Sequence, residues 1–98
     1  MHIGEEGRLG PESTNEASVI LTELIKGLVD HPDRVDIQSL DGSQSTVFEV
    51  KVAPIDVRRI IGRRGRTADA IREILLNLGS KAGRRYLLQI VEPQERAG

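Results

Sequence analysis

Apolar residues recur at Ile20, Leu21, Leu24, Ile25, Leu28 and Val29, the spacing of one helical stripe. Ser13 followed by Glu16 fits a capping box ahead of that stripe. Asp30-His31-Pro32-Asp33 ends it, because the residue before a proline is pushed out of the helical region. Alternation then takes over. Arg34 to Leu40 reads as a short strand through Val35 and Ile37. Asp41 to Gln44 is a turn, with Gly42 able to take a positive φ. Thr46 to Val52 is a clearer strand, with Thr46, Phe48, Val50 and Val52 on one face. Pro54 and Asp56 suit the first turn of a helix carrying Val57, Ile60 and Ile61 before Gly62. A second helix begins near Thr67, with Ile71, Ile74, Leu75 and Leu78 as its stripe and Gly79 as its C-cap. Tyr86 to Val91 is a nearly all-apolar strand that Pro93 ends.

The order helix, strand, strand, helix, loop, helix, strand predicts an α+β domain. The first two strands form an antiparallel hairpin. The helix pair carries the chain back as a crossover, so the second and third strands are parallel. A three-stranded mixed sheet covered on one face by three helices is the economical solution. With 98 residues the chain holds one domain. Residues 14–92 make up that domain; residues 1–13 read as a disordered leader or a cloning remnant, and 93–98 as a short tail. Phe48 and Tyr86, the two aromatics, are expected in the core.

Composition removes several function classes. No cysteine is present, so disulfides, thiolate zinc sites and thiol catalysis are excluded, and a cytoplasmic protein is expected. No apolar run is long enough for a membrane helix. No His, Asp and Glu cluster has metal-ligand spacing, and Asp30, Asp33 and Asp36 lack the calcium-loop pattern. His31 reads as structural. No base, metal or nucleophile accompanies the central loop, so neither an enzyme nor a cofactor is expected.

Net charge is −1, yet its distribution is uneven. Pro54 to Arg72 carries six arginines against Asp56 and Asp69, a local charge of +4, whereas the first 16 residues sum to −3. Fields act over about 8 Å at physiological salt, so a partner meets the patch and not the total. The patch surrounds Gly62-Arg63-Arg64-Gly65 between two helices. The glycines allow a tight turn and close backbone approach. The second helix points its free amides at the loop. Arg58, Arg59, Arg63, Arg64 and Arg66 add forked donors for phosphate oxygens. These are the parts of a sugar-phosphate cradle; the bland alternative is a solvated charged face. A Walker loop is excluded, since no Lys-Ser or Lys-Thr follows the glycine. A dinucleotide fingerprint fails because the glycines lie between helices and not after a strand.

Ile60-Ile61-Gly62-Arg63-Arg64-Gly65 inside a strand-helix-helix-strand unit resembles the KH domain, whose loop clamps about four single-stranded nucleotides. Helix-strand-strand ahead of that unit resembles the type II arrangement. Leu28 to Pro32, Val52-Ala53-Pro54 and Ile61 to Ala68, in order, are similar to the small bacterial single-KH proteins of the KhpA family, over residues 16 to 92. That resemblance implies a type II KH domain binding single-stranded RNA in an RNA-chaperone-like role. It implies that Gly62 to Gly65 hold phosphates, with Arg58, Arg59, Arg66 and Thr67 beside them. Ile61, Ala68, Ile71 and the first strand form an apolar groove for bases, and Asp41 to Gln44 is a variable loop on its far wall. Members often carry lysine or glutamine where Arg63 and Arg64 stand, so two arginines favour sequence-independent phosphate contact. The acidic leader lies outside the family pattern. Partners implied are a second copy or a larger KH protein of the KhpB (Jag) type. A KH-fold interaction module and a single-stranded DNA binder are the alternatives.

Overall fold

A computed structural model of the chain describes residues 11–92. Helix α1 (Pro11–Leu28) leads through a 3-10 turn at Pro32–Arg34 into strand β1 (Asp36–Asp41) and strand β2 (Ser45–Lys51). A second 3-10 turn, Pro54–Asp56, opens helix α2 (Val57–Ile61); a third, Arg63–Gly65, joins it to helix α3 (Arg66–Ala82), and strand β3 (Arg85–Ile90) follows. Sheet order is β1-β2-β3. β1 runs antiparallel to β2 with Ile37 opposite Val50, and β2 runs parallel to β3 with Phe48 beside Leu88, as the crossover requires.

The core lies between the sheet and the helices. Thr46, Phe48 and Val50 turn one face of β2 inward, and Phe48 meets Tyr86 of β3 edge-on with centroids 5.2 Å apart. From α1 come Ala17, Leu21, Ile25 and, just past its end, Val29; from α3 come Ile71, Leu75 and Ala82. The stripes are rotated from those expected. Ile20 is 46% exposed and Ile74 41%, because the inward faces centre on Leu21 and Leu75 and their neighbours at one residue's remove point about 100° away.

Boundaries differ for local reasons. α1 starts at Pro11, where proline suits a helix's first position, so Ser13 is inside the helix and not its cap. Leader residues 1–10 and tail residues 93–98 lie outside the described residues. Pro32–Arg34 coils into a 3-10 turn, which delays β1 to Asp36. Gly42 does not use a positive φ. Its N–H donates to Ser45 O at 2.7 Å, and the Arg84 guanidinium donates to the carbonyls of Gly42 and Ser45, both at 2.9 Å. Gly79 is not a C-cap. The helix continues to Ala82 and ends at Gly83, φ 71°. Gly79 is glycine because β3 crosses there: a Cβ would stand 2.5 Å from Arg84 O and 3.0 Å from Tyr86 N.

Candidate nucleic-acid interface

Helix α2 divides its residues cleanly. Val57 and Ile60 are buried and Arg58 and Arg59 are exposed. The two adjacent isoleucines therefore split: Ile60 is fully buried in the core, while Ile61 is half-buried beside the loop. Gly62 follows at φ 80°, ψ 173°, a region only glycine enters readily. A Cβ here would run into the side chain of Thr67, 2.6 Å from its Cβ. Thr67 thus fills the space the glycine leaves.

The chain then turns through Arg63–Gly65, with the Gly65 N–H donating to Gly62 O at 3.1 Å. Arg64 (φ 57°, ψ 27°) and Gly65 (φ 75°, ψ 10°) are both left-handed. For Gly65 the reason is conformation alone, since no atom lies within 4 Å of its missing Cβ. Arg64 has no such freedom and holds a strained backbone, the kind found at functional loops. Helix α3 starts at once at Arg66 with no side-chain cap, so the positive end of its dipole faces the loop.

The arginines are not equivalent. Arg59 Nη2 lies 3.0 Å from Asp30 Oδ2 and its Nε 3.8 Å from Asp56 Oδ1. Arg72 pairs with Asp69 at 3.4 Å. Among the described residues, Arg58, Arg63, Arg64 and Arg66 form no ion pair and are exposed. The structure therefore turns Arg59 back towards the end of α1, whereas the other four stay available.

Beside the loop runs an open groove of about 410 Å³. Ile61, Arg64, Gly65 and Ala68 form one wall; Leu88 and Ile90 of β3 form the other. Three expectations are corrected here. Ile71 packs in the core and does not line the groove, whereas Ala68 one turn earlier, nearly as buried, does. The opposite strand is β3, because β1 is at the other edge of the sheet. Asp41 to Gln44 does not line the groove; Ser45 pairs with Arg85, which puts that turn at the opposite end of β3. The edge of β3 has its own pattern. Arg85 and Val91 donate their N–H groups to Gln44 O and Val50 O. Alternate residues face opposite ways, so Leu88 and Ile90 turn their N–H and C=O to the open edge.

Sequence reasoning missed the support behind the loop. Asp56 is completely buried. Its carboxylate accepts the backbone N–H groups of Asp30 and His31, each at 3.0 Å, and lies 3.2 Å from His31 Nδ1. Burial alone would raise its pKa. The two amides, the imidazole and Arg59 outweigh burial and hold the carboxyl below the ordinary value near 3.8. An acid two residues after Pro54 is visible in the sequence; partners 25 residues upstream are not. His31 is structural, as expected. Among the described residues no group of three or more potential ligands could hold a metal ion, and no helix is long and apolar enough to cross a membrane.

Three helices on a mixed sheet, with a glycine loop between α2 and α3 opposite an edge strand, define a KH domain. The chain belongs to the KhpA/KhpB family, whose KH-domain model matches residues 19–90. It is similar to the RNA-binding protein KhpA of Caldanaerobacter subterraneus, 38% identical over 72 residues, covering 74% of this chain and 96% of that protein. The RNA-binding protein KhpA of Leifsonia xyli is 43% identical over 72 residues, covering 74% of this chain and 92% of its own. That of Borreliella burgdorferi is 44% identical over 69 residues, covering 70% and 84%.

Proposed function

We propose that the chain binds single-stranded RNA, with Gly62–Gly65 as a phosphate clamp and the adjoining groove as a base platform, and acts as a small RNA-chaperone-like regulator. The observation that carries this reading is the left-handed glycine loop, bearing Arg63 and Arg64, unpaired among the described residues, at the start of α3 and facing the open edge of β3. Phosphates sit against the loop and first-turn amides, with Arg58, Arg63, Arg64 and Arg66 contributing charge. Bases lie on Ile61, Ala68, Leu88 and Ile90, and the free N–H and C=O of Leu88 and Ile90 meet their edges. An aliphatic floor needs no aromatic stacking, which suits a chain whose two aromatics pair in the core. The mechanism is binding and not catalysis. The curated relatives are named RNA-binding proteins, which supports the ligand class. One helix and one strand, α1 and β1, ahead of the shared β2-α2-α3-β3 core support the type II arrangement, and a cytoplasmic location follows from an RNA ligand.

The deciding experiment is titration of labelled single-stranded RNA with wild type and Arg63→Asp/Arg64→Asp across a salt series. Wild-type affinity falls with a slope near −0.7 per phosphate contact, and the folded variant loses binding. Equal binding by both would sink the clamp. Competition with DNA of the same sequence separates RNA from single-stranded DNA as the main ligand.

A single groove captures few nucleotides, so pairing raises affinity through effective concentration. Val19 and Ile20 on α1 and Ile74 on α3 are large and exposed, and they favour a partner: a second copy or a larger KhpB/Jag-type KH protein.

A further inference from the structure

Helix α2 has five residues, well below the length at which a helix holds itself in water. Its orientation must come from tertiary anchors. Val57 and Ile60 supply two by burial. Asp56 and Arg59 supply two more, and both grip the same place.

An aspartate at an N-cap ordinarily accepts an amide of its own helix. Asp56 occupies the N-cap of α2 and makes no such bond. Its two oxygens instead take the amides of Asp30 and His31. One turn on, Arg59 reaches the Asp30 carboxylate at 3.0 Å. Two grips three residues apart fix the rotation of a helix about its axis as well as its position. That rotation sets the direction in which the chain leaves through Gly62. Arg59 and Asp30 are both more than half exposed, and an exposed pair adds little stability; what this pair adds is direction.

We propose that Asp56 and Arg59 are positioning residues for the clamp, orienting α2 on the Asp30-His31 segment so that Gly62–Gly65 meets the α3 terminus and the β3 edge in RNA-competent geometry. Arg59 itself touches no phosphate. This rests on the RNA-binding reading above, since preorganised contacts tolerate displacements of only about 0.5 Å.

The test compares Asp56→Asn, Arg59→Gln and the double variant in binding labelled single-stranded RNA, well below every melting midpoint. NMR amide shifts of Gly62 and Gly65 are followed in parallel. Val50→Ala, a core change on β2, is the reference for lost stability. Each single variant is expected to weaken binding about tenfold, the equivalent of one misplaced charged hydrogen bond. The double variant should be no worse than the weaker single, since coupled residues are not additive. The salt slope should persist, both amides should shift, and Val50→Ala should bind as wild type. The proposal is overturned if Asp56→Asn and Arg59→Gln bind as Val50→Ala does. It is also overturned if the Arg59→Gln loss adds in full and the slope shrinks by about 0.7, which makes Arg59 a direct ligand. Should Asp56→Asn not fold, Arg59→Gln, altering an exposed side chain, decides alone. Should wild type bind no RNA, the function fails separately, and unmoved amides in both variants would still defeat the positioning role.

Discussion

Arg64 is the one non-glycine residue with a positive φ among the described residues. A side chain in that region costs about 1–2 kcal/mol. Arg64→Gly should therefore raise stability by about 1 kcal/mol, seen as a higher urea midpoint, while lowering RNA affinity. Stability and binding moving together would mean that the loop is not strained for function. Asp56 makes a different prediction. Its folded pKa is depressed, so its stabilisation is complete above the unfolded value, near 4. It is lost as pH falls through the lower folded value. Melting midpoints of wild type should drop as pH falls below about 4; Asp56→Asn should start lower and lose this component of the decline. A variant whose acid profile parallels wild type would show that the carboxylate is not what the amides of Asp30 and His31 hold.

At the level of elements, α3 and β3 are bound together at Gly79, where a Cβ would meet Arg84 O at 2.5 Å. Gly79→Ala should destabilise by about 1–3 kcal/mol, the cost of overpacking, although alanine favours helices. Circular-dichroism melts check this, and a neutral or stabilising result would show that the crossing can widen. The same glycine marks the limit of what the sequence discloses. A glycine after an apolar stripe looks like a helix end, and only the return of β3 reveals it as a crossing point. Strand order, parallel pairing and the glycine loop were legible because periodicity and crossover handedness are local rules. Ile71 was misplaced by one helical turn, and β1 was set in the groove where β3 stands, because facing walls depend on packing angles. Asp56 was visible as a first-turn acid, but its tether to Asp30 and His31 spans too much chain for any local pattern.

For the whole molecule, the proposed clamp and the crevice beside Ile20 belong to different surfaces. Ile20 and Leu78 flank a crevice between α1 and α3, while the loop and β3 edge form the groove proposed for RNA. If α3 takes part in the proposed self-association, Ile74→Asp should shift the mass measured by light scattering from dimer to monomer. It should leave each protomer folded and weaken binding to long RNA more than to four-nucleotide fragments. An unchanged mass would remove α3 from any self-association. The groove's second wall also has a temporal meaning. β3 follows the loop by some 20 residues and is the last element among the described residues. At ribosomal speeds of about 5–20 residues per second, the loop exists for about 1–5 s before its opposite wall is made. A chain still being synthesised, or clipped before Arg85, carries every arginine of the loop and both of its glycines yet lacks the wall that Leu88 and Ile90 form. Such a chain can attract RNA by charge but lacks half of the proposed base platform, so retention of RNA is expected to begin only once β3 has been made.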